Sequence, residues 1–565
     1  MTSLTPASEP YFDLGTFGRR IRTTSPEAQT WFDRGLTWIY GFHHEEAAIC
    51  LETAIVHDPG CVMAYWALAY ALGPNYNFIW DFFEPDQLET AMRRTHKALD
   101  DARSHLKDGD PVESALIQAL EARYPRDWAG KEFKTWNENY VKAMEKVYND
   151  FPNDLDVAAV YADSMMCLVP WKLWDLRTGE PEPGSPAKSI QRVLEKALVQ
   201  PEAATHPGLL HLYIHLCEMS SSPERAVPAA DKLFGLIPDA AHLNHMPSHL
   251  DILIGDYRRA ISANAKAVVS DNLYVSRKGA GGFYTIYRLH NFSSLIYGAM
   301  FCGQYQVAIR FVEAMEQVLT DDLVRSLPKF IECETSVRLH VLVRFGRWDE
   351  ILKVPFPDDR QVYASKTVMT HYARGIAFAA TNRVDEALVE LNEVRESIKR
   401  VPPEYVTFPN TTVDVLAIAE PMLSGEIEYR RENYDVAFEH LRQAIKLYDG
   451  LQYAEPWAWM MPVRHPYAAL QLERGNIEEA LATYAADLGY DTALPRAHQH
   501  PNNVWALHGY HECLVKLGRT AEAQIIMPQL RLALAVADVE IKSSCFCRLD
   551  VTDKVVDGAG SHCCD

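Results

Sequence analysis

The sequence predicts an all-α chain, a right-handed superhelix of paired antiparallel helices. Three observations predict it. Small residues and prolines recur in a fixed frame with a 34-residue period. Strand signals are sparse along the chain. Apolar residues make up 48% of the sequence, which suits units that cannot bury their apolar faces alone and stack into one continuous core. The length accommodates about ten to thirteen helix pairs, several of them degenerate.

The frame is clearest near the start. With Ala28 as position 1, Trp31 falls at 4, Gly35 at 8, Ala47 at 20, Ala54 at 27 and Pro59 at 32. This is the signature of the tetratricopeptide repeat (TPR). Its logic is mechanical. Positions 8 and 20 lie where two helices cross closely, so a larger side chain would force them apart. Position 27 touches the next unit, and proline at 32 stops the second helix because it lacks an N–H and clashes with the preceding turn. The frame recurs from Val368 (Gly375, Ala387), from Ile418 (Gly425, Ala437, Ala444) and from Asn502 (Gly509, Ala521), where Pro528 departs from pattern. Further units begin at Pro207 (Ala226, Pro238), at Ala241 (Ala260, Ala267) and near Leu289 (Ala308), and Met461–Asp487 carries Ala480 at position 20. The expected organisation is an N-terminal extension over 1–24, a TPR-like α-solenoid over 25–535 and a Cys-rich tail over 536–565. Irregular insertions are expected near 102–150, as longer helices, and near 170–189, as a structured loop or lid before a helix starting near Ile190.

Net charge is −21. That disfavours nucleic acid, whose phosphates need Lys and Arg to neutralise them, and an anionic membrane surface. No apolar run is long enough to span a bilayer, and the N-terminus lacks the apolar core of a secretory signal. A cytoplasmic protein with reduced cysteines is the expectation.

The histidines carry the functional signal. Six of 21 lie between His206 and His249. His211 and His215 take positions 5 and 9 of one unit, and His245 and His249 take the same positions in the next. Each is an i, i+4 pair, which projects from one helix face with Cβ atoms about 5–6 Å apart. Consecutive first helices pack about 8–10 Å apart, so both pairs can point into one space on the inner wall. Glu218 continues the first stripe and His242 begins the second. His290, at position 2 of the unit near Leu289, matches His242 in register, and His206 and His44 stand at related places. A helical His-x-x-x-His pair can chelate one ion, and imidazole suits copper, iron, zinc or nickel. The competing reading is a hydrogen-bonded histidine network or a clamp for an anionic peptide. A clamp would want Lys, Arg and Asn at positions 2, 5, 9 and 12, where this segment has His and Glu.

The segments HPGLLHLYIHLCEMS (His206–Ser220) and AHLNHMPSHLDILIGDY (Ala241–Tyr257) resemble a recurring subgroup of TPR-domain proteins. GFHHEEA (Gly41–Ala47), AYWALAYALGPNYN (Ala64–Asn77) and PVRHPYAALQLERG (Pro462–Gly475) carry the same likeness, which spans most of residues 25–525. The resemblance implies the fold and no settled activity. Members commonly have a second histidine three residues after the equivalent of His290; here that place is Ser293.

Other chemistry is weaker. Trp66 and the Gly73–Asn77 run read first as helix termination and aromatic packing, and second as lining of the same cavity. Tyr65, Tyr213, Tyr297 and Trp505 read as core, and His508 with His511 as surface or hydrogen-bonded residues. The tail residues Cys545, Cys547, His562, Cys563 and Cys564 do not match zinc-site spacing, and a disordered thiol-bearing tail is expected. No nucleotide-binding loop, G-x-S-x-G elbow or H-E-x-x-H motif is present. A Cys217–His215 nucleophile is disfavoured because residues two apart face different ways on a helix. The leading expectation is a metal-dependent enzyme, an oxidoreductase acting on a small organic substrate. Its copper or iron ion (zinc is also compatible) would be held by His211, His215, His245 and His249, with His242, His290, His44 or His206 completing the shell and Glu218 as the catalytic proton handler. The alternatives are a non-catalytic scaffold binding a protein or peptide partner, with or without a structural zinc, and a zinc-dependent hydrolase or lyase.

Overall fold

One joint is used again and again. In the computed structural model, which describes residues 8–106 and 110–549, seven helix pairs are each linked by three residues: Pro26–Tyr40 with His44–His57, Tyr284–Phe301 with Tyr305–Val318, Val337–Arg344 with Trp348–Ile351, Ala364–Ala380 with Val384–Ile398, Ala419–Arg430 with Tyr434–Asp449, Arg464–Glu473 with Ile477–Leu488, and Val504–Lys516 with Thr520–Val536. In every link the third residue's N–H donates to the carbonyl five residues back, as from His43 to Trp38 at 2.9 Å, Gln304 to Ala299 at 2.9 Å, Asn433 to Glu428 at 2.9 Å and Asn476 to Gln471 at 3.0 Å. This is the 6→1 bond of a Schellman ending, which satisfies a carbonyl that the helix terminus would otherwise orphan. The geometry forces the middle residue into the left-handed region. Glycine fills it at Gly303, Gly475 and Gly518, but Phe42, Asn382 and Glu432 adopt φ of 55°, 59° and 63° there.

The fold is therefore the all-α, TPR-like solenoid that the 34-residue frame predicts. Strand pairing among the described residues is confined to Val406–Thr407 against Asn410–Thr411 and two isolated bridges. The close crossing at position 8 is real. A Cβ on Gly35 would lie 2.6 Å from Leu51 Cγ, and one on Gly425 would lie 2.7 Å from Leu441 Cγ.

The described chain divides into two compact units, residues 1–250 with 266–284, and residues 251–265 with 285–565. In the first, the N-terminal extension is tied down: Arg19 bridges Asp154 and Asp156 at 2.8 and 2.7 Å, and Phe12, Leu14 and Ile21 are buried. The segment near 170–189 is a structured loop. Trp174 donates from Nε1 to the Leu216 carbonyl at 2.6 Å, and the following helix begins at Ala187 rather than near Ile190.

Three local expectations change. The helix expected to run on from Ala241 breaks into Ala241–His245 and Pro247–Ile254, because Pro247 has no N–H to donate and crowds the preceding turn. Pro528 does not end its helix, which continues to Val536. The start of the tail is ordered in the second unit. Arg548 pairs with the buried Glu512 at 2.7 and 2.9 Å, Ser544 Oγ donates to the His465 carbonyl at 2.8 Å, and Cys545 and Cys547 are joined as a disulfide rather than free. His562, Cys563 and Cys564 lie outside the described residues. His508 and His511, expected as surface or hydrogen-bonded residues, are buried.

Replacing Gly35 with Ala is expected to destabilise the first unit by about 1–3 kcal/mol, the usual cost of overpacking a tight contact. Gly281, whose Cβ would meet nothing within 4 Å, serves as control, with Gly281→Ala within about 0.5 kcal/mol of wild type. Urea unfolding followed by circular dichroism measures both.

Candidate metal centre

The helix Pro207–Glu218 is buried along its whole length, so every polar side chain on it must find a partner inside the protein or be left costly. His206 precedes it and acts as its cap. Its Nδ1 accepts from the Leu209 N–H at 3.2 Å, and its Nε2 sits 3.2 Å from Asp156 Oδ1. Both nitrogens of His206 are thus engaged, and it serves as the N-cap of the helix.

His211 and His215 are different. His211 Nδ1–H donates to the Tyr40 carbonyl at 2.7 Å, and His215 Nδ1–H donates to Glu218 Oε1 at 2.9 Å. A neutral imidazole that donates from Nδ1 presents a lone pair on Nε2. Both Nε2 atoms are buried and have no hydrogen-bond partner among the described residues. Burial pushes the His215 pKa down to about 3 and drives His211 well below its ordinary value, with the neighbouring His215 adding to the effect. Both rings are therefore neutral, the form that ligates metal.

Glu218 is fully buried and uses both oxygens. The second accepts from His249 Nδ1 at 2.5 Å, so one carboxylate orients two imidazoles from different helices. The expected role of Glu218 as a proton handler gives way to an orienting one. His249 Nε2 in turn lies 2.7 Å from His245 Nε2, and Ser248 Oγ approaches His245 Nδ1 at 3.5 Å. The proton pattern that satisfies all of these contacts runs from Ser248 to His245 to His249 to Glu218.

The rings form one contiguous group within the first unit. His211 lies 4.7 Å from His215 and 4.9 Å from His242, centroid to centroid, and His215 lies 5.6 Å from His249. One ring nitrogen each from His211, His215 and His242 falls within 4.8 Å of the others. His215, Glu218 and His249 also satisfy that spacing, but their closeness is that of the hydrogen bonds just described. The first trio is the better candidate for ligation, and the second group holds it in place, as outer-shell carboxylates do at histidine metal sites.

Two further residues complete the wall, Phe42 and, from the Gly73–Asn77 run, Tyr76. Phe42, the left-handed middle residue of the first joint, places its ring 4.4 Å from His211, 5.9 Å from His215 and 5.8 Å from His242. Tyr76, in the Gly73–Asn77 turn, packs 5.0 Å from His215 and accepts the Trp171 N–H on its hydroxyl at 3.1 Å. A signal for Phe42 existed: a bulky residue where the repeat wants glycine.

His44 opens the helix His44–His57 with its Nδ1 3.2 Å from the Gly73 carbonyl oxygen, and it is not among the residues brought within ligand spacing. His290 belongs to the second unit, on Tyr284–Phe301. Three residues on, Ser293 donates to Glu334 Oε2 at 2.5 Å, and burial pushes that carboxyl up to about 7.

No family model matches this chain, and no curated protein does. Among solved structures it is similar to TPR-type repeat proteins. The Cut9–Hcn1 hetero-tetramer of the APC/C is 12% identical, covering 83% of this chain and 74% of that one, at a TM-score of 0.30. Yeast Tom70 is 12% identical over 89% and 92%, at 0.26. Naa15/Naa10 bound to HypK is 13% identical over 90% and 70%, at 0.23. No helix among the described residues is long and apolar enough to cross a membrane.

Phe42 gives a test with an unusual sign. Truncating a buried Phe costs about 3–5 kcal/mol, while a non-glycine residue in the left-handed region carries about 1–3 kcal/mol of strain that glycine relieves. Phe42→Gly is therefore expected to be less destabilising than Phe42→Ala, by about 1 kcal/mol or more, in chemical denaturation. The reverse order would show that the left-handed joint stores no strain.

Proposed function

We propose that this TPR-like solenoid binds a transition metal ion through His211, His215 and His242. Glu218 and the Tyr40 carbonyl would fix the ligand rings, with His249 and His245 forming the hydrogen-bonded chain behind Glu218. The observation that carries the reading is the pair of buried, partnerless Nε2 atoms on His211 and His215, whose Nδ1 atoms are already tied. Leaving such atoms unsatisfied costs about 1–3 kcal/mol each, and a bound cation removes that cost. Bonds of about 2.0–2.1 Å from imidazole nitrogens would require the three nitrogens, now within 4.8 Å of one another, to close in on the ion. Copper and iron rank first for a histidine-only donor set, with zinc next.

Three protein ligands leave a coordination position open, the arrangement of catalytic rather than structural sites. On that basis we assign the centre to oxidative chemistry on a small organic substrate. The metal would supply the reactive position. Glu218 would keep His215 and His249 in the donating tautomer, and Phe42 and Tyr76 would exclude water from the ligand side.

A second reading is a non-catalytic scaffold that binds a protein or peptide partner. What favours it is the architecture: repeated helix pairs stacked on one another build extended binding surfaces. In that case the histidine cluster would be a structural metal site or a hydrogen-bonded core.

Metal analysis of protein purified without a histidine tag separates these readings. The expected result is about one transition-metal ion per chain, lost on His211→Ala or His215→Ala. Glu218→Gln, which keeps shape but removes the charge, is expected to weaken metal affinity by about 10–100-fold. Absence of any stoichiometric metal, with both alanine variants folding as wild type, would remove the metal reading and leave the scaffold.

A further inference from the structure

The first unit holds a second group of buried polar atoms. Arg123 is 0% exposed. Its Nη2 donates to the Pro74 carbonyl at 2.9 Å and approaches Cys167 Sγ at 3.8 Å, while its Nε and Nη1 have no hydrogen-bond partner among the described residues. Nor does any described carboxylate stand within ion-pair distance. Asp163, the buried acid that feels its charge, spends its Oδ2 on the Tyr70 hydroxyl at 2.5 Å.

A fully buried guanidinium with two idle nitrogens is among the most expensive arrangements in a folded chain. The net penalty for an uncompensated buried ion is several kcal/mol, and an arginine cannot escape it by losing its proton. The surrounding atoms repeat the theme. The Tyr140 hydroxyl, Trp66 Nε1 and His44 Nε2 are likewise buried without a partner among the described residues. They gather around common rings: the Arg123 guanidinium carbon lies 4.9 Å from the Tyr140 ring centroid and 5.7 Å from that of Tyr70, and Tyr70 lies 5.8 Å from Trp66 and 6.2 Å from His44. The arginine, tyrosine and tryptophan groups can donate, whereas His44, whose Nδ1–H donates to the Gly73 carbonyl, presents a lone pair on Nε2. Trp66 Nε1 and the arginine nitrogens can only donate.

This group and the histidine cluster meet in one turn. Pro74, whose carbonyl Arg123 holds, is two residues from Tyr76, whose ring lies against His215. His44 reaches the same turn through the Gly73 carbonyl.

We infer that Arg123, with Tyr140 and Trp66, binds the carboxylate of a small organic acid, and that this acid is the substrate class presented to the histidine centre. The anion site stands on its own observations; its assignment to the substrate rests on the metal reading above. A monocarboxylate fits better than a dianion or phosphate. One positive charge is available, that of Arg123, and the nearby Asp163 would repel a second negative charge. The rings of Tyr70, Tyr140 and Trp66 suit an apolar or aromatic body on the acid.

Isothermal titration calorimetry of the full chain with benzoate, acetate, succinate and inorganic phosphate tests this, on metal-loaded and metal-stripped samples whose metal content is measured in parallel. Benzoate and acetate are expected to bind in preference to succinate and phosphate. Arg123→Met should lose at least tenfold in affinity and Arg123→Lys less. Arg123→Met is a fair variant because replacing a buried ion by an apolar side chain of similar volume is often neutral or stabilising; thermal melting and an unchanged metal content confirm that it folds. No carboxylate binding to wild type, equal affinity in a folded Arg123→Met, or preference for phosphate would each overturn the inference. Carboxylate binding to a protein that holds no metal would sustain the anion site and defeat only its link to the histidine centre.

Discussion

The arrangement in the first unit depends on one buried carboxylate. Glu218 has no solvent exposure, and an isolated charge in such a place is untenable unless both of its oxygens are engaged. They are engaged by His215 from the same helix and His249 from the next repeat. That single requirement fixes the tautomer of two rings, sets which nitrogen of each faces inward, and ties consecutive repeats at the point where the proline-interrupted helix would otherwise be least constrained. His211 obeys the same rule with a backbone acceptor, the Tyr40 carbonyl, in place of a carboxylate. The close approach behind that contact explains Gly208, where a Cβ would come within 2.4 Å of the Tyr40 ring. A methyl group there would push away the strand of backbone that holds His211.

The joint between paired helices links architecture to site. Its middle residue must be left-handed for the Schellman bond to close, and glycine satisfies this without strain. At the first joint the chain uses phenylalanine instead, and the geometry that strains Phe42 also aims its ring at three histidines. Asn382 and Glu432 occupy the same place in later joints without such a target. Asparagine tolerates the conformation by local hydrogen bonding, and Glu432 is exposed, so neither needs an account beyond the joint itself. A strained residue at a cluster of orphaned polar atoms is the pattern expected where backbone energy is stored for function.

Much of this was legible in the sequence because it depends on spacing. The repeat frame located Gly35 and Gly425 at the crossings, and the offset of 34 brought His211, His215, His245 and His249 into neighbouring helices. What spacing does not carry is which atom of a residue does the work. Glu218 lies on the stripe where a proton handler would stand, but its role follows from an acceptor geometry that only the folded chain reveals. Phe42 and Tyr76 reach the cluster from a joint and a turn far away in sequence, and the Tyr40 carbonyl is backbone, which side-chain motifs do not encode. Arg123 was invisible for a related reason. In an acidic chain a lone arginine within a charged helical stretch reads as surface, and its burial is decided by the packing of Tyr70, Tyr124 and Tyr140. The helix break at Met246 was written in the sequence as Met-Pro, yet the i, i+4 reading of His245 and His249 carried straight across it; their rings still lie 4.7 Å apart because Glu218 and the His245–His249 hydrogen bond replace the helix as the element that aligns them.

The second unit supplies the contrast that gives the orphaned atoms their meaning. Asp487 is as buried as Glu218, and its carboxylate is fully used: His465 donates to it at 2.9 Å, His500 at 2.8 Å and Asn503 at 3.1 Å. Beyond His465, Arg344 donates to the free ring nitrogen at 3.1 Å and stacks 3.8 Å over Trp505. That is a polar node whose acid and His465 are answered by protein groups, although Arg344 Nη2 has no hydrogen-bond partner among the described residues. The same chain, folding under the same cost for burying polar groups, answers both oxygens of Asp487 but leaves nitrogens of His211, His215 and Arg123, and Nη2 of Arg344, without a partner among the described residues. Burial alone does not distinguish these sites, nor does residue type, since each contains histidine or arginine. The distinction is whether the protein itself supplies the last partner, and in the first unit the missing partners are of two complementary kinds, an acceptor of lone pairs at the histidines and an acceptor of protons at the arginine, set on either side of one turn.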